Sequence, residues 1–195
     1  MRVEEIATNA GFRAVADTGV PALDEALRRL CNDDKVLLSR GAHERTICHR
    51  LATYLECALN RDRDASQRWH VDCEYNLFGS DASDHARHRT VDELRKYLPV
   101  QGRDALEGDE KEHSVFPDIV VHRRDEPDNE LVLEVKVVRG TPKKTEIEYD
   151  LRKLRAFADG NKGFSYRRTL FIAITPSPDA STSTVEVFAP VGGVA

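Results

Sequence analysis

The residues best able to do chemistry in this chain are charges set where charge is costly. In Leu131-Val-Leu-Glu-Val-Lys-Val-Val138 the two-residue period of a strand puts Leu131, Leu133, Val135 and Val137 on one face. Glu134 and Lys136 share the other face with Val132 and Val138. A carboxylate and an ammonium among valines need partners, because an unpaired buried charge costs several kcal/mol. Phe116-Pro-Asp-Ile-Val-Val-His122 sets Asp118 among apolar neighbours in the same way. Fifteen residues lie between Asp118 and Glu134, enough for one hairpin to bring them side by side. Two carboxylates at close range repel unless a cation lies between them, and hard oxygen donors favour Mg²⁺, with Mn²⁺ as a substitute. Without a metal, Glu134 and Lys136 at i and i+2 would form a plain ion pair. Glu44 is a third such charge. It precedes Ile47, Cys48 and Leu51 by three, four and seven residues, so it extends an apolar helical stripe by one turn. A carboxylate there could complete a divalent-metal site.

The elements that must position these groups follow from periodicity. Leu23, Ala26, Leu27 and Leu30 recur at helical spacing after Pro21, and a second helix is predicted over 43–59 with Ile47, Cys48, Leu51, Tyr54, Leu55 and Ala58 on its stripe. Residues 70–78 alternate as a half-buried strand, and 115–122 and 131–138 read as two strands joined by a turn rich in Pro, Asp and Asn. A helix from about residue 143 or 145 to 158 carries Ile147, Leu151, Leu154 and Ala158 on one stripe, with Gly160 at its end. Strands at 169–175 and 184–188 finish the chain. Helix, three strands, crossover helix and strand predict an α/β (α+β) fold, a mixed sheet flanked by helices in αβββαβ order. One domain is expected over 1–195, with an N-terminal helical extension over 1–36. The polar connection 79–114, with a short helix candidate at 90–97, is expected to be an insertion or flap.

Composition bounds the class. The chain has 195 residues, 40% hydrophobic and 32% charged, with a mean hydropathy of -0.52. That is too apolar for disorder and too polar for a membrane protein. No apolar run approaches the ~20 residues needed to span a bilayer, and the first residues lack an apolar signal core. Cys31, Cys48, Cys57 and Cys73 form no CxxC pair; a soluble, reduced, cytoplasmic protein is expected, without structural zinc or a disulfide framework. The formal charge of -5 argues against an indiscriminate nucleic-acid binder. The average hides a contrast: residues 101–130 hold 10 acidic and 4 basic groups, residues 139–168 hold 9 basic and 4 acidic. A basic face beside an acidic segment suits a phosphate ligand near bound metal, and equally a solvated helix.

Pro117-Asp118, then Glu134-Val135-Lys136, with the upstream helical Glu44, resembles the PD-(D/E)xK nuclease superfamily and its restriction endonuclease-like fold. Longer strings resemble a group of small bacterial proteins with that fold: Val71-Asp-Cys-Glu-Tyr-Asn76, Pro117-Asp-Ile-Val-Val-His-Arg-Arg124, Asn129-Glu-Leu-Val-Leu-Glu-Val-Lys136 and Asp150-Leu-Arg-Lys-Leu154. They extend over roughly residues 40–175. An Asp followed by Glu-x-Lys is weak alone; on adjacent strands with the charges on one face it is more specific. The resemblance implies that Asp118, Glu134 and the carbonyl of Val135 bind Mg²⁺. It implies that Glu44 supports the metal or its water, and that Lys136 orients the attacking water and stabilises transition-state charge. The reaction would be phosphodiester hydrolysis, on DNA rather than RNA.

Other residues are weighed beside these. Glu74 projects on the polar face of its strand, towards the cleft or simply solvent. Asp150 and Lys153, one helical turn apart, suit phosphate contact or support of Lys136; otherwise they form a surface pair worth tenths of a kcal/mol. His122 is expected to be a capped strand-end histidine, and His85, His88 and His113 lack zinc-finger spacing. Ser165-Tyr-Arg-Arg168 is aromatic and basic without further distinction. The alternative to a nuclease is a non-catalytic nucleic-acid-binding or protein-interaction module that keeps the fold; a third reading makes the strand charges internal ion pairs. With no recognition helix in view, specificity would come from a second copy in a homodimer or from a larger defence or repair complex.

Overall fold

The computed structural model describes residues 2–75, 116–124, 129–158, 166–177 and 183–191. The expected flap at 79–114, its helix candidate, the three histidines at 85, 88 and 113, and Gly160 lie outside the described residues.

The elements run α1 (Val3–Asn9), β1 (Phe12–Val15), α2 (Pro21–Asp33), α3 (Lys35–Ser39), α4 (Glu44–Leu59), β2 (His70–Cys73), β3 (Ile119–His122), β4 (Asn129–Val137), α5 (Lys144–Ala158), β5 (Tyr166–Thr175) and β6 (Thr184–Pro190). α2 opens on Pro21, whose fixed φ suits a first helical position. The strands form one six-stranded sheet in the order β1-β6-β5-β4-β3-β2. β4 and β5 are parallel, joined by the crossover helix α5, and every other pairing is antiparallel. The fold is a mixed α/β structure with helices on both faces of the sheet.

β4 lies at the centre and is buried on both sides, which is why it reads as a nearly continuous apolar run. Leu131, Leu133 and Val135 pack with Leu23 and Leu27 of α2 and Ile47, Leu51 and Leu55 of α4. Val132 packs on the opposite face with Ile6 of α1 and Ile147, Leu151 and Leu154 of α5. Each such side chain contributes roughly 1.5–3 kcal/mol of burial. Glu134 and Lys136 project on the α5 face, as their phase on the strand requires.

The first 36 residues are not only helical. β1 pairs with β6, and Phe12, 1% exposed, fills the α5 side of the core with Val3 and Ile6. A four-residue strand is too short for its periodicity to be read. β2 also ends sooner than expected. It stops at Cys73, and Glu74 adopts a left-handed φ of 51°, so Glu74 lies past the strand and not on its polar face. Among the described residues no helix is long and apolar enough to cross a membrane.

Strand lengths create the site. β3 begins at Ile119 opposite Leu133, whereas β4 continues to Val137. Among the described residues the end of β4 thus runs on without a strand neighbour on that edge, between the start of α4 and the first turns of α5.

Candidate active site

Side-chain carboxylates accept the backbone amides along this end of β4. Asp118, the residue before β3, accepts the Val135 amide on Oδ2 at 2.8 Å. Glu44, the first residue of α4, accepts the Val137 amide on Oε2 at 2.8 Å. Bonds to ionised acceptors are stronger than neutral ones, so the edge of β4 fixes both carboxylates. Helix α4 is anchored by Ile47, Leu51 and Leu55, which are fully buried, so its first turn is held at this edge.

The two lysines continue the array. Lys136 Nζ lies 3.3 Å from Glu44 Oε1 and 3.8 Å from both Glu146 Oε2 and Asp150 Oδ2. Lys153 Nζ lies 2.6 Å from Glu134 Oε2, 3.3 Å from Asp150 Oδ1 and 3.5 Å from the Phe116 carbonyl. Charges therefore alternate from Glu44 to Lys136, Asp150, Lys153 and Glu134. A cleft of about 370 Å³ opens over this array, with Asp118, Lys136 and Lys153 in its wall and Arg45 and Glu74 beside them.

Burial sets the electrostatics. Glu134 is fully buried, and desolvation with the nearby Asp118 and Asp150 charges pushes its carboxyl well above the ordinary range, although Lys153 opposes this. Desolvation likewise raises Asp118 against the Val135 amide and Lys153, and raises Asp150 against both lysines. For Lys153 burial would favour the neutral amine, but Glu134 and Asp150 prevail and hold it protonated. Asp150 and Glu44 do the same for Lys136. Glu134 Oε1 is buried with no hydrogen-bond partner among the described residues, an expensive state for a charged oxygen.

The expected residues are thus brought together: Glu44, Asp118, Lys136, Asp150, Lys153 and Glu74 line the cleft, with Glu134 beneath it. Two expectations are corrected. Glu134 pairs with Lys153 and not with Lys136, because Lys136 extends beyond it towards α4. Asp150 and Lys153 form no surface pair, since each is 8% exposed and turned into the array. Glu146 was missed, although it stands four residues before Asp150 and seven before Lys153 on one helix face. Cys48 and Cys73, whose thiols burial pushes up (Cys73 to about 11), also line the cleft. His122 is at the other end of β3, 5% exposed, with Nε2 2.8 Å from Asp72 Oδ2.

The donor set suits a hard divalent cation. Four carboxyl groups (Glu44, Asp118, Glu134, Asp150) stand around two ammoniums (Lys136, Lys153), and Oε1 of the buried Glu134 has no hydrogen-bond partner among the described residues. Among the described residues no group of three or more His, Cys, Asp or Glu side chains is placed to hold a metal ion. Mg²⁺ does not require one: it is commonly held by one or two carboxylates and keeps several waters. Glu44 is less suited to direct ligation than Asp118 and Glu134, because both its oxygens are taken by Lys136 and the Val137 amide.

No family model matches the chain, and neither a curated protein nor a solved structure matches it.

Proposed function

We propose that this protein is a metal-dependent phosphodiester hydrolase of PD-(D/E)xK type, with the restriction endonuclease-like version of its mixed sheet, acting on nucleic acid and on DNA before RNA. The observation that carries the reading is the buried Oε1 of Glu134, without a hydrogen-bond partner among the described residues, beneath an open cleft that also holds Asp118 and Lys136. A purely structural ion-pair network has no use for that oxygen.

Asp118, Glu134 and the Val135 carbonyl would hold Mg²⁺ or Mn²⁺, which when bound supplies Lewis-acid stabilisation of phosphoryl oxygens and lowers the pKa of water. The chain's own residues do the rest. Lys153 fixes the orientation of the Glu134 carboxylate from the cleft wall. Glu44 and Asp150 hold the Lys136 ammonium at the cleft wall, where it can orient a water and offset negative charge growing on the phosphate. Glu44 also ties α4 to the end of β4, keeping Lys136 and Asp118 in one frame.

The test is incubation with single-stranded, double-stranded and branched DNA and with RNA, in Mg²⁺, in Mn²⁺ and in EDTA. Cleavage that requires metal supports the reading. One observation favours a second reading, the non-catalytic binding module: Lys153 at 2.6 Å already neutralises one Glu134 oxygen. Nucleic-acid binding without cleavage of any substrate would select it.

A further inference from the structure

We infer that Arg45 is the phosphate-contact residue at the mouth of this cleft, held in the free protein by Glu74, whose carboxylate stands in for a substrate phosphate. The inference rests on the nucleic-acid reading of the cleft and specifies how the substrate backbone is received.

Arg45 follows Glu44 in the first turn of α4 and lines the cleft, yet its side chain is 84% exposed. It meets Glu74 Oε1 at 2.7 Å, and Glu74 is itself 47% exposed. An ion pair so open to water adds little to stability, so the fold does not explain it. The backbone beneath it is unusual as well. Glu74 has a φ of 51°, costly for a residue with a side chain, and its amide is turned to donate to the Asp118 carbonyl at 3.3 Å. The conformation that ends β2 therefore places an anion at the cleft mouth, next to a residue of the proposed site.

A carboxylate and a phosphate offer the same arrangement of two oxygens to a guanidinium fork, so a phosphodiester can take over the position of Glu74. The cleft needs such a cation. Among the described residues the charge of its lining is negative, and Lys136 and Lys153 are both engaged by carboxylates, so without metal no described cation deeper in the site draws a polyanion in. Arg139 adds positive charge nearby: it is exposed and donates through Nη2 to the Ala42 carbonyl at 2.8 Å, two residues before α4 begins.

The test is binding in EDTA, where no cleavage intervenes, of a short fluorescein-labelled DNA duplex and its single strand, followed by anisotropy across a salt series. Arg45→Gln should weaken binding severalfold and lower the salt slope by about 1. Glu74→Gln should tighten binding in the wild-type background and have little effect once Arg45 is gone. Both variants alter exposed side chains, and circular dichroism checks that they fold. Unchanged affinity in Arg45→Gln, no gain in Glu74→Gln, or a Glu74→Gln gain that persists undiminished without Arg45 each overturns the inference. Arg45-dependent binding by a protein that cuts nothing would sink hydrolysis and keep this contact. Metal-dependent cutting indifferent to Arg45 would do the reverse. Absence of all nucleic-acid binding by the wild type in EDTA overturns this inference, while the hydrolase reading is decided by the cleavage assay in Mg²⁺ and Mn²⁺.

Discussion

Lys153 reaches from α5 to within 2.6 Å of Glu134 Oε2, in a place where the two side chains are only 9% and 1% exposed. Its ammonium also lies 3.3 Å from Asp150, which in turn lies 3.8 Å from Lys136. The fold thus gives its two lysines different surroundings. Both line the cleft, but Lys153 is nearly buried there as the counter-charge of Glu134, while the Lys136 side chain is 22% exposed. Two lysines on one acidic array can divide structural and chemical work in this way.

That division is measurable by unfolding in urea. Lys153→Met leaves the Glu134 charge buried without its partner and is expected to cost about 3–5 kcal/mol at neutral pH. Adding Glu134→Gln should recover most of the loss, since the uncompensated charge is then gone. Lys136→Ala breaks a partly exposed pair with Glu44 and should cost no more than about 1 kcal/mol. Equal losses for the two lysines would contradict the assignment.

Asp118 and Asp150 should limit stability when no metal is added. Burial raises both carboxyls above their ordinary pKa. The folded state then holds protons that the unfolded state has released, and stability contributed at low pH is lost as pH rises through the raised values. Asp118→Asn in EDTA should therefore melt higher than wild type at neutral pH, by about 2–4 °C for a gain near 1 kcal/mol. The difference should shrink as pH falls towards about 4. Asp150→Asn should behave alike. Scanning calorimetry across pH checks the sign; a variant less stable than wild type at neutral pH refutes it.

The Asp72–His122 pair should act in the opposite direction. Burial lowers the His122 pKa despite its bond to Asp72, so the folded imidazole resists protonation. Burial would raise Asp72, but the Arg124 and His122 hydrogen bonds prevail and hold it below the ordinary carboxylate range. Both groups then contribute stability that is lost on acidification, His122 as pH falls below about 6.5 and Asp72 below about 4. His122→Gln should flatten the loss between neutral pH and mild acid. A histidine proton resonance for residue 122 that titrates above 6.5 would exclude this account.

Much of the site was legible because it lies on regular elements. The two-residue period of β4 places Glu134 and Lys136 on the face opposite Leu133 and Val135, and the 3–4 stripe of α4 carries Glu44 to its buried end. Hairpin spacing sets Asp118 beside them. The choice of Lys153 as the partner of Glu134 was not legible, since it depends on how α5 is rotated over the sheet and on which ammonium reaches farther. The position of Glu74 was hidden too: its left-handed φ ends β2 at Cys73, and glutamate has no preference that announces such a turn. β1 escaped because only Phe12 of its four residues is deeply buried, too little for alternation to show.

The most direct measurement is cleavage of a labelled DNA duplex in Mg²⁺ by wild type, Lys136→Ala and Asp118→Asn, with Mn²⁺ binding determined for each by calorimetry. The expected result is metal-dependent cleavage by wild type alone. Lys136→Ala should keep its Mn²⁺ affinity, because the ammonium is no ligand, while Asp118→Asn should lose both binding and cleavage through the removal of a charged oxygen donor. Cleavage by Lys136→Ala at the wild-type rate, or Mn²⁺ binding unchanged by Asp118→Asn, would contradict the Asp118, Glu134 and Lys136 site at its root.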